Sequence, residues 1–221
     1  RHTLKLFYSE AFRAPTFGET HLLNNPVLIG NPDLVSETVK SSEILWYGIW
    51  DQLTFGASIY HNQYENPVTA GFMGNTRTYV NGARQKNYGI SSRINWQVNA
   101  QWMFNIQANS FHDLPDAYFR AADSPGSMGV NYQREHWNWN FSAIYQGARG
   151  YQLNSTQRAQ LDAYWYGNTQ LLYQFNPSTS VALVLKNVFD KNYSTPAQGA
   201  GLVGGVPNRR REASINISWQ F

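Results

Sequence analysis

Residues 212–221 read EASINISWQF. Ala213, Ile215, Ile217, Trp219 and Phe221 are apolar, whereas Glu212, Ser214, Asn216, Ser218 and Gln220 are polar. Strict alternation at period two excludes a helix and specifies a strand with two unlike faces, because successive side chains point to opposite sides. In a soluble sandwich the apolar face would meet a core. In an outer-membrane barrel it meets lipid, and the polar face lines a wet lumen. The run also has the roughly 9–11 residues that a tilted strand needs to cross the hydrocarbon.

The same pattern recurs along the chain. Trp137, Trp139, Phe141, Ala143 and Tyr145 alternate with Asn138, Asn140, Ser142 and Gln146. Trp102, Phe104, Ile106 and Ala108 alternate with Asn105, Gln107 and Asn109. Ten strand-like segments are expected, at 2–9, 38–49, 52–64, 78–98, 101–112, 126–134, 137–148, 161–175, 180–189 and 210–221. Short connections at 50–52, 99–100, 135–136 and 176–179 alternate with long ones at 10–37, 65–77, 113–125, 149–160 and 190–209. Barrels of the outer membrane have short periplasmic turns and longer extracellular loops. A soluble sandwich has no reason to collect every long loop at one end. The expected fold is all-β, an antiparallel transmembrane β-barrel wall in a single domain, with no helix of note.

Composition fits that wall. Hydrophobic residues make up 42% of the 221, yet mean hydropathy is -0.49. No apolar run approaches the roughly 18 residues of a membrane helix. Charged residues are 14%, against about 25% in ordinary soluble domains. The absence of cysteine excludes disulfides and cysteine-ligated metal sites. Basic residues are scattered apart from Arg209, Arg210 and Arg211, so no nucleic-acid partner is expected. The opening RHTLKLFYSE already alternates and lacks a signal peptide's apolar centre. It reads as a start within the wall.

Several stretches resemble the TonB-dependent outer-membrane receptors. YSEAFRAPTFGE at 8–19 resembles that family's S-x-x-F-R-A-P-T segment. GNPDLVSET at 30–38 resembles its GNPxLxPE loop end, with Ser36 in place of the usual Pro. YVNGARQKNYGI at 79–90 resembles a strand beginning in which an acid is common where Ser91 or Ser92 stands here. NVFDKNY at 187–193, PNRRR at 207–211 and the terminal Phe221 resemble its C-terminal signature. The resemblance implies a barrel of about 22 strands around a plug, of which residues 1–221 would be the C-terminal portion, holding the last ten strands. The plug and N-terminal strands would lie outside this sequence. The resemblance further implies the bacterial outer membrane, long loops outside, a periplasmic C-terminus, and coupling to the TonB complex through the missing N-terminal region. Lipopolysaccharide would surround the wall, and the assembly machinery would read Phe221.

Such a receptor captures a scarce solute, most commonly a ferric siderophore; cobalamin, haem and glycans are other classes. It is a transporter and no enzyme. Ferric iron would enter only as a chelate held by the ligand, so the protein needs no cofactor or metal ligand of its own. Aromatic walls and arginines suit bulky, aromatic or anionic chelates. The candidate ligand contacts in loops and upper lumen are Arg13, His21, Tyr64, Phe72, Arg77, Tyr79, Arg84, His112, Tyr118, Phe119, Arg120, Arg149 and Tyr151. Arg209, Arg210 and Arg211 are assigned to lipid headgroups or barrel closure. His112 beside Asp113 and Asp116 could activate water, but Asp and Pro are ordinary turn formers. His2, His21, His61, His112 and His136 show no metal-ligand spacing. Two rivals remain: a complete ten-stranded barrel enzyme resembling omptin proteases, and a passive porin. The first requires residues near Leu4–Tyr8 to pair with residues near 214–219.

Overall fold

The computed structural model describes residues 1–114, 119–153, 157–197 and 203–220. The elements are β1 (His2–Arg13), α1 (Phe17–His21), β2 (Glu37–Trp50), β3 (Leu53–Glu65), β4 (Val68–Met73), β5 (Thr76–Asn81), β6 (Gln85–Gln97), β7 (Trp102–His112) and β8 (Gly126–Arg134). There follow β9 (Trp137–Gln146), β10 (Arg149–Gln152), β11 (Arg158–Leu161), β12 (Tyr164–Asn176), β13 (Thr179–Lys186), β14 (Ser194–Thr195), β15 (Val206–Pro207) and β16 (Glu212–Trp219). Ten of the strands form one sheet in the order β1-β2-β3-β6-β7-β8-β9-β12-β13-β16, each antiparallel to its neighbour. The remaining three pairs are small hairpins set in the long connections.

Every side chain in this sheet takes its side from the register. Leu6, Ile44, Ile59 and Ile90 form one row. Trp102, Tyr132, Trp139, Leu171, Leu183 and Ile215 form another on the same face. These side chains are not packed under a second layer: Ile59 is 60% exposed and Ile215 66%. The opposite face carries rows such as Ser41, Asn62 and Asn87, or Asn105, Gly129, Ser142 and Asn168. A contiguous apolar face of this size is incompatible with water. It matches the alternation of a barrel whose outside is lipid.

Aromatic girdles bound that face. Near the short turns, Trp46 meets Phe55 at 5.1 Å, Trp102 meets Tyr132 at 4.6 Å, and Trp137 meets Tyr173 at 4.5 Å between ring centroids. Towards the long loops, Tyr88 stacks on His112 at 5.1 Å and Tyr145 lies 5.0 Å from Trp165. Trp96 and Tyr88 stand eight residues apart on β6, about 27 Å along a strand, which a tilt of about 40° reduces to about 21 Å. That is close to the band of about 25 Å found in outer-membrane barrels.

The short turns are closed by side chains suited to them. Asn99 Oδ1 accepts from the N–H groups of Gln101 and Trp102, both at 2.9 Å, and Asn176 Oδ1 accepts from Ser178 N–H at 2.9 Å. The expected alternation of short and long connections holds throughout. β1 and β16 are the two edges of the sheet and do not pair with each other. The closed ten-stranded barrel therefore does not form.

Three local expectations need correction. The single strand at 78–98 is two, β5 and β6, because β5 turns away to pair with β4. The segment 161–175 breaks between β11 and β12 for the same reason, with β11 pairing to β10. A short helix also exists: Thr16 and Glu19 form a reciprocal capping box for α1. Arg13 grips it, donating to Glu19 at 2.8 and 3.1 Å and to Glu37 at 2.6 Å. Gly30 lets the following loop close on itself, since a Cβ there would lie 2.4 Å from Leu22 N.

Amide side chains tie the loops to the wall. Asn31, buried, donates to the Tyr79 carbonyl at 2.9 Å, and Asn81 donates to the carbonyls of Val35 and Asn66 at 2.9 and 2.8 Å. At the other edge Asn187 accepts from Lys191 N–H and donates to its carbonyl, both at 2.9 Å. The run Arg209–Arg211 makes intramolecular contacts here. Arg209 pairs with Glu212 at 2.8 Å, Arg210 grips both oxygens of Asp190, and Arg211 donates to the Val188 carbonyl at 2.8 Å. Hydrogen bonds from Arg210, then from Arg211 N–H, hold the Asp190 carboxyl at about 2, below its ordinary range. Phe221 lies outside the described residues.

Two outcomes test this architecture. Arginine in place of Ile59 should destabilise the full-length protein in lipid vesicles by about 2–4 kcal/mol, whereas Asn140→Arg on the inner face should cost under about 1 kcal/mol. Urea unfolding in vesicles reads both, and equal costs would refute the assignment of faces. The second outcome concerns pH. The Arg13 side chain, then Thr16 N–H, hold the Glu19 carboxyl at about 2 instead of 4.5. A depressed carboxylate contributes stability above its unfolded value, and the contribution fades as pH falls from about 4.5 towards 2. Hydrogen-exchange protection at Thr20, Gly30 and Asn31 should fall across that window, and Glu19→Gln should lower it at all pH values and flatten the dependence. Wild-type protection that stays constant to about pH 2 would contradict the clamp.

Candidate functional site

At the long-loop end the inner face opens into a cleft of about 890 Å³. Its wall side is Ala11, Arg13, Glu37, Val39 and Tyr64; its opposite side is Phe119, Arg120 and Arg158. Site placement follows from the strands. Arg13, Val39 and Tyr64 are on the inward parity of β1, β2 and β3. Phe119 is carried inward by the segment after β7 and fixed by β10, where Gly150 N–H donates to the Phe119 carbonyl at 2.8 Å. Only glycine permits that approach, since a Cβ at position 150 would lie 2.6 Å from the same oxygen.

Both arginines stack on one ring. The Arg120 guanidinium carbon lies 4.4 Å from the Phe119 centroid and that of Arg158 lies 4.3 Å away. Arg120 Nε also donates to the Ala197 carbonyl at 3.1 Å. Each cation gains from the ring quadrupole, while the pair concentrates two positive charges beside one aromatic surface. The acids of the cleft are neutralised locally. Glu37 is held by Arg13, and Glu65 by Arg84 and by Lys40 at 3.7 Å. Glu37 also accepts from Val68 N–H, fixing the start of β4. The arrangement sets guanidinium and aromatic surface side by side at one wall of the cleft. Among the described residues no cluster of metal-ligating side chains occurs.

A second inward cluster lies across the rim. Arg149 and Tyr151 on β10 are buried, and Arg149 donates to Tyr164 Oη at 3.0 Å and to the Ser194 carbonyl at 2.8 Å. Tyr164 stacks on Tyr193 at 4.5 Å, and Tyr166 on Tyr193 at 5.3 Å.

The residues expected from sequence thus separate into groups. Arg13, Tyr64, Phe119 and Arg120 converge on the cleft, with Arg84 at its rim. Arg149 and Tyr151 belong to the second cluster. His21 stacks on Phe17 at 4.8 Å, and Phe72, 71% exposed, lies near the tip of the β4–β5 hairpin. The carbonyls of Arg77 and Tyr79 hold the preceding loop, accepting from Ile29 N–H and Asn31. His112 is on the outer face with Tyr88, away from both clusters. Asp113 has φ 54°, the left-handed backbone of a turn residue. Tyr118 and Asp116 lie outside the described residues. Sequence reasoning missed Arg158, Tyr164, Tyr166 and Tyr193. Tyr164 and Tyr166 carried a signal, because their spacing of two placed both on the polar parity of β12. A further groove of about 740 Å³, lined mostly by apolar residues such as Trp139, Leu171, Leu183 and Ile215, is on the outer face.

The vitamin B12 transporter BtuB of Vibrio cholerae is 26% identical over 99% of the chain, and that of Vibrio vulnificus is 26% identical over 93%. The chain spans about a third of those relatives, 34% and 33% of their length. Among solved structures, the siderophore receptor PirA of Acinetobacter baumannii superposes with a TM-score of 0.83 at 15% identity. The ferric enterobactin receptor PfeA of Pseudomonas aeruginosa does so with 0.80 at 16%. Each superposition covers the whole chain and 39% and 38% of the other protein, respectively, and shows the shared fold. The family described as "TonB dependent receptor-like, beta-barrel" matches residues 1–188, and to that family the chain belongs.

Proposed function

We propose that these residues form the last ten strands of a barrel of about 22 in an outer-membrane receptor for TonB-coupled uptake, with a ferric siderophore as the solute. The plug and earlier strands would be supplied by the remainder of a longer polypeptide, as would the contact with TonB. The long loops would face the outside and the short turns and C-terminus the periplasm. Lipopolysaccharide would surround the upper wall, and the C-terminal strand would be read during assembly.

The stack of Arg120 and Arg158 on Phe119 carries the choice of solute. A ferric chelate already satisfies its metal, so its receptor needs charge and aromatic surface and no ligand atoms. A cleft of about 890 Å³ lies at the upper end of small-molecule sites, large enough for a substantial part of such a chelate. Cobalamin is the second reading, favoured by the 26% identity to B12 transporters across nearly the whole chain.

Deletion of the parent gene should abolish uptake of one radiolabelled ferric siderophore, and loss of TonB should do the same. Loss of labelled cobalamin uptake with all iron chelates unaffected would select the second reading. In the intact receptor, replacing Arg120 and Arg158 together by Gln should weaken binding of that chelate by about a hundredfold to ten-thousandfold, because each charged hydrogen bond contributes about 1.5–3 kcal/mol. Unchanged affinity would remove Phe119 and its arginines from the site.

A further inference from the structure

The outer face is indented near its β16 edge. Thr169, Leu185 and Ala213 are paired in register across β12, β13 and β16, and the side chains on either side of Leu185 are short. The next row towards the short turns is Trp139, Leu171, Leu183 and Ile215. Both rows line the groove of about 740 Å³. The Thr169 hydroxyl is satisfied internally, accepting from Trp139 Nε1 and donating to the Asn140 carbonyl, both at 2.9 Å. Towards the long loops stands Phe189. Its ring lies over Gly167, where a Cβ would come within 2.9 Å of Cε2, and meets Phe141, the register partner of Thr169, edge-on at 6.3 Å. Both rows have the lipid-facing parity, so the groove meets acyl chains. Lipid tails are as apolar as leucine, and shape alone gives little choice between one lipid and another. Selection requires a headgroup contact.

Arg211 stands where that contact would be made. It precedes Ala213 by two residues with the same parity, about 7 Å further towards the long loops. It is a step above the groove and not in its wall, as a phosphate is above the acyl chains it carries. Val188 N–H donates to the Gly167 carbonyl at 2.7 Å, and the Val188 carbonyl accepts from Arg211 Nη2 at 2.8 Å. The guanidinium is thereby held near the level of Gly167, two residues from the girdle residue Trp165. Charge is left over at this level. Arg209 is matched by Glu212, and Arg210 grips both oxygens of Asp190. Asp190 also accepts from Arg211 N–H at 3.0 Å, so one carboxylate faces two arginines. Among the described residues the Arg211 guanidinium bonds a carbonyl and no carboxylate.

We propose that the groove and Arg211 form a site for one phosphorylated lipid of the outer leaflet, lipid A, the membrane anchor of lipopolysaccharide. One acyl chain lies along Leu185, Ala213 and Ile215, and a phosphate meets the Arg211 guanidinium. Arginine fits that partner because its planar fork presents paired donors to two phosphate oxygens. The proposal rests on the reading of the long-loop end as the outside and is independent of which solute is carried.

Native mass spectrometry of the delipidated full-length receptor in detergent, with bisphosphorylated lipid A and its dephosphorylated form as probes, provides the test. The receptor should retain lipid A and hold the dephosphorylated form about tenfold more weakly, as expected for a charged hydrogen bond. Arg211→Gln should bring the two lipids to near-equal retention, while Arg211→Lys should keep part of the preference. Ala213→Trp, which fills the groove, should weaken both forms alike. The contrast between lipids needs no variant, so a misfolded protein leaves the test intact. Equal retention of both lipids by the wild type overturns the site. So does a preference that survives Arg211→Gln, which would put the phosphate on another cation. A preference abolished by inorganic phosphate and untouched by Ala213→Trp would mark an anion site without a lipid, and also overturns it. Lipid A selected by a receptor that carries neither iron chelates nor cobalamin would sink the transport reading and support the lipid site.

Discussion

The structure depends on strands whose two faces meet different surroundings while their backbone groups are satisfied by neighbouring strands. In hydrocarbon an unpaired N–H or C=O costs several kcal/mol, so only helices and closed sheets can cross. The ten-stranded sheet satisfies this internally at each of its nine junctions and leaves the demand open at β1 and β16. The register is equally constrained. Shifting β3 by one residue would exchange Ile59 for Ser58 or Tyr60 on the outer face, and would do so for the entire strand. A wall of this kind tolerates variation along a face but not between faces.

That rigidity is what allows the loops to differ. The stretches that announce the family are those in which amides and arginines fasten loop to wall: Asn31, Asn81, Asn187, and Arg13 with Glu19. Their work is geometric and would be the same for any solute. Phe119, Arg120 and Arg158 fall outside those stretches, in segments whose conformation is set by contacts made across the rim. A sequence can therefore declare its family clearly while saying little about its ligand.

The faces of the sheet were legible because period two is written residue by residue. Trp137 to Tyr145 could be assigned to one face without any knowledge of partners. The rim was less legible for a physical reason. Residues 79–90 read as one strand although Asn81-Gly82 is a local turn signal; the break is completed by β5 pairing with β4 and not with the wall. His112, at the end of the expected segment 101–112, was offered as a ligand contact, but strand parity carries it to the outer face beside Tyr88. Tyr164 and Tyr166 could have been found by applying parity to β12. Tyr193 and Arg158 could not, because only the folded loops bring them to their neighbours.

The arginines show how a shared residue type divides by counter-charge. Arg13 was expected to meet the ligand, and it does line the cleft, but two carboxylates already saturate it. Removing it would leave Glu19 and Glu37 without their cation and release α1, so its effect on binding would run through the loop it pins. Arg149 is more deeply buried, and its hydrogen bonds go to the neutral Tyr164 Oη and Ser194 carbonyl. An exposed arginine can borrow its neutrality from water and salt; a buried one cannot. What surrounds a guanidinium, more than its proximity to the lumen, decides whether it holds the protein together.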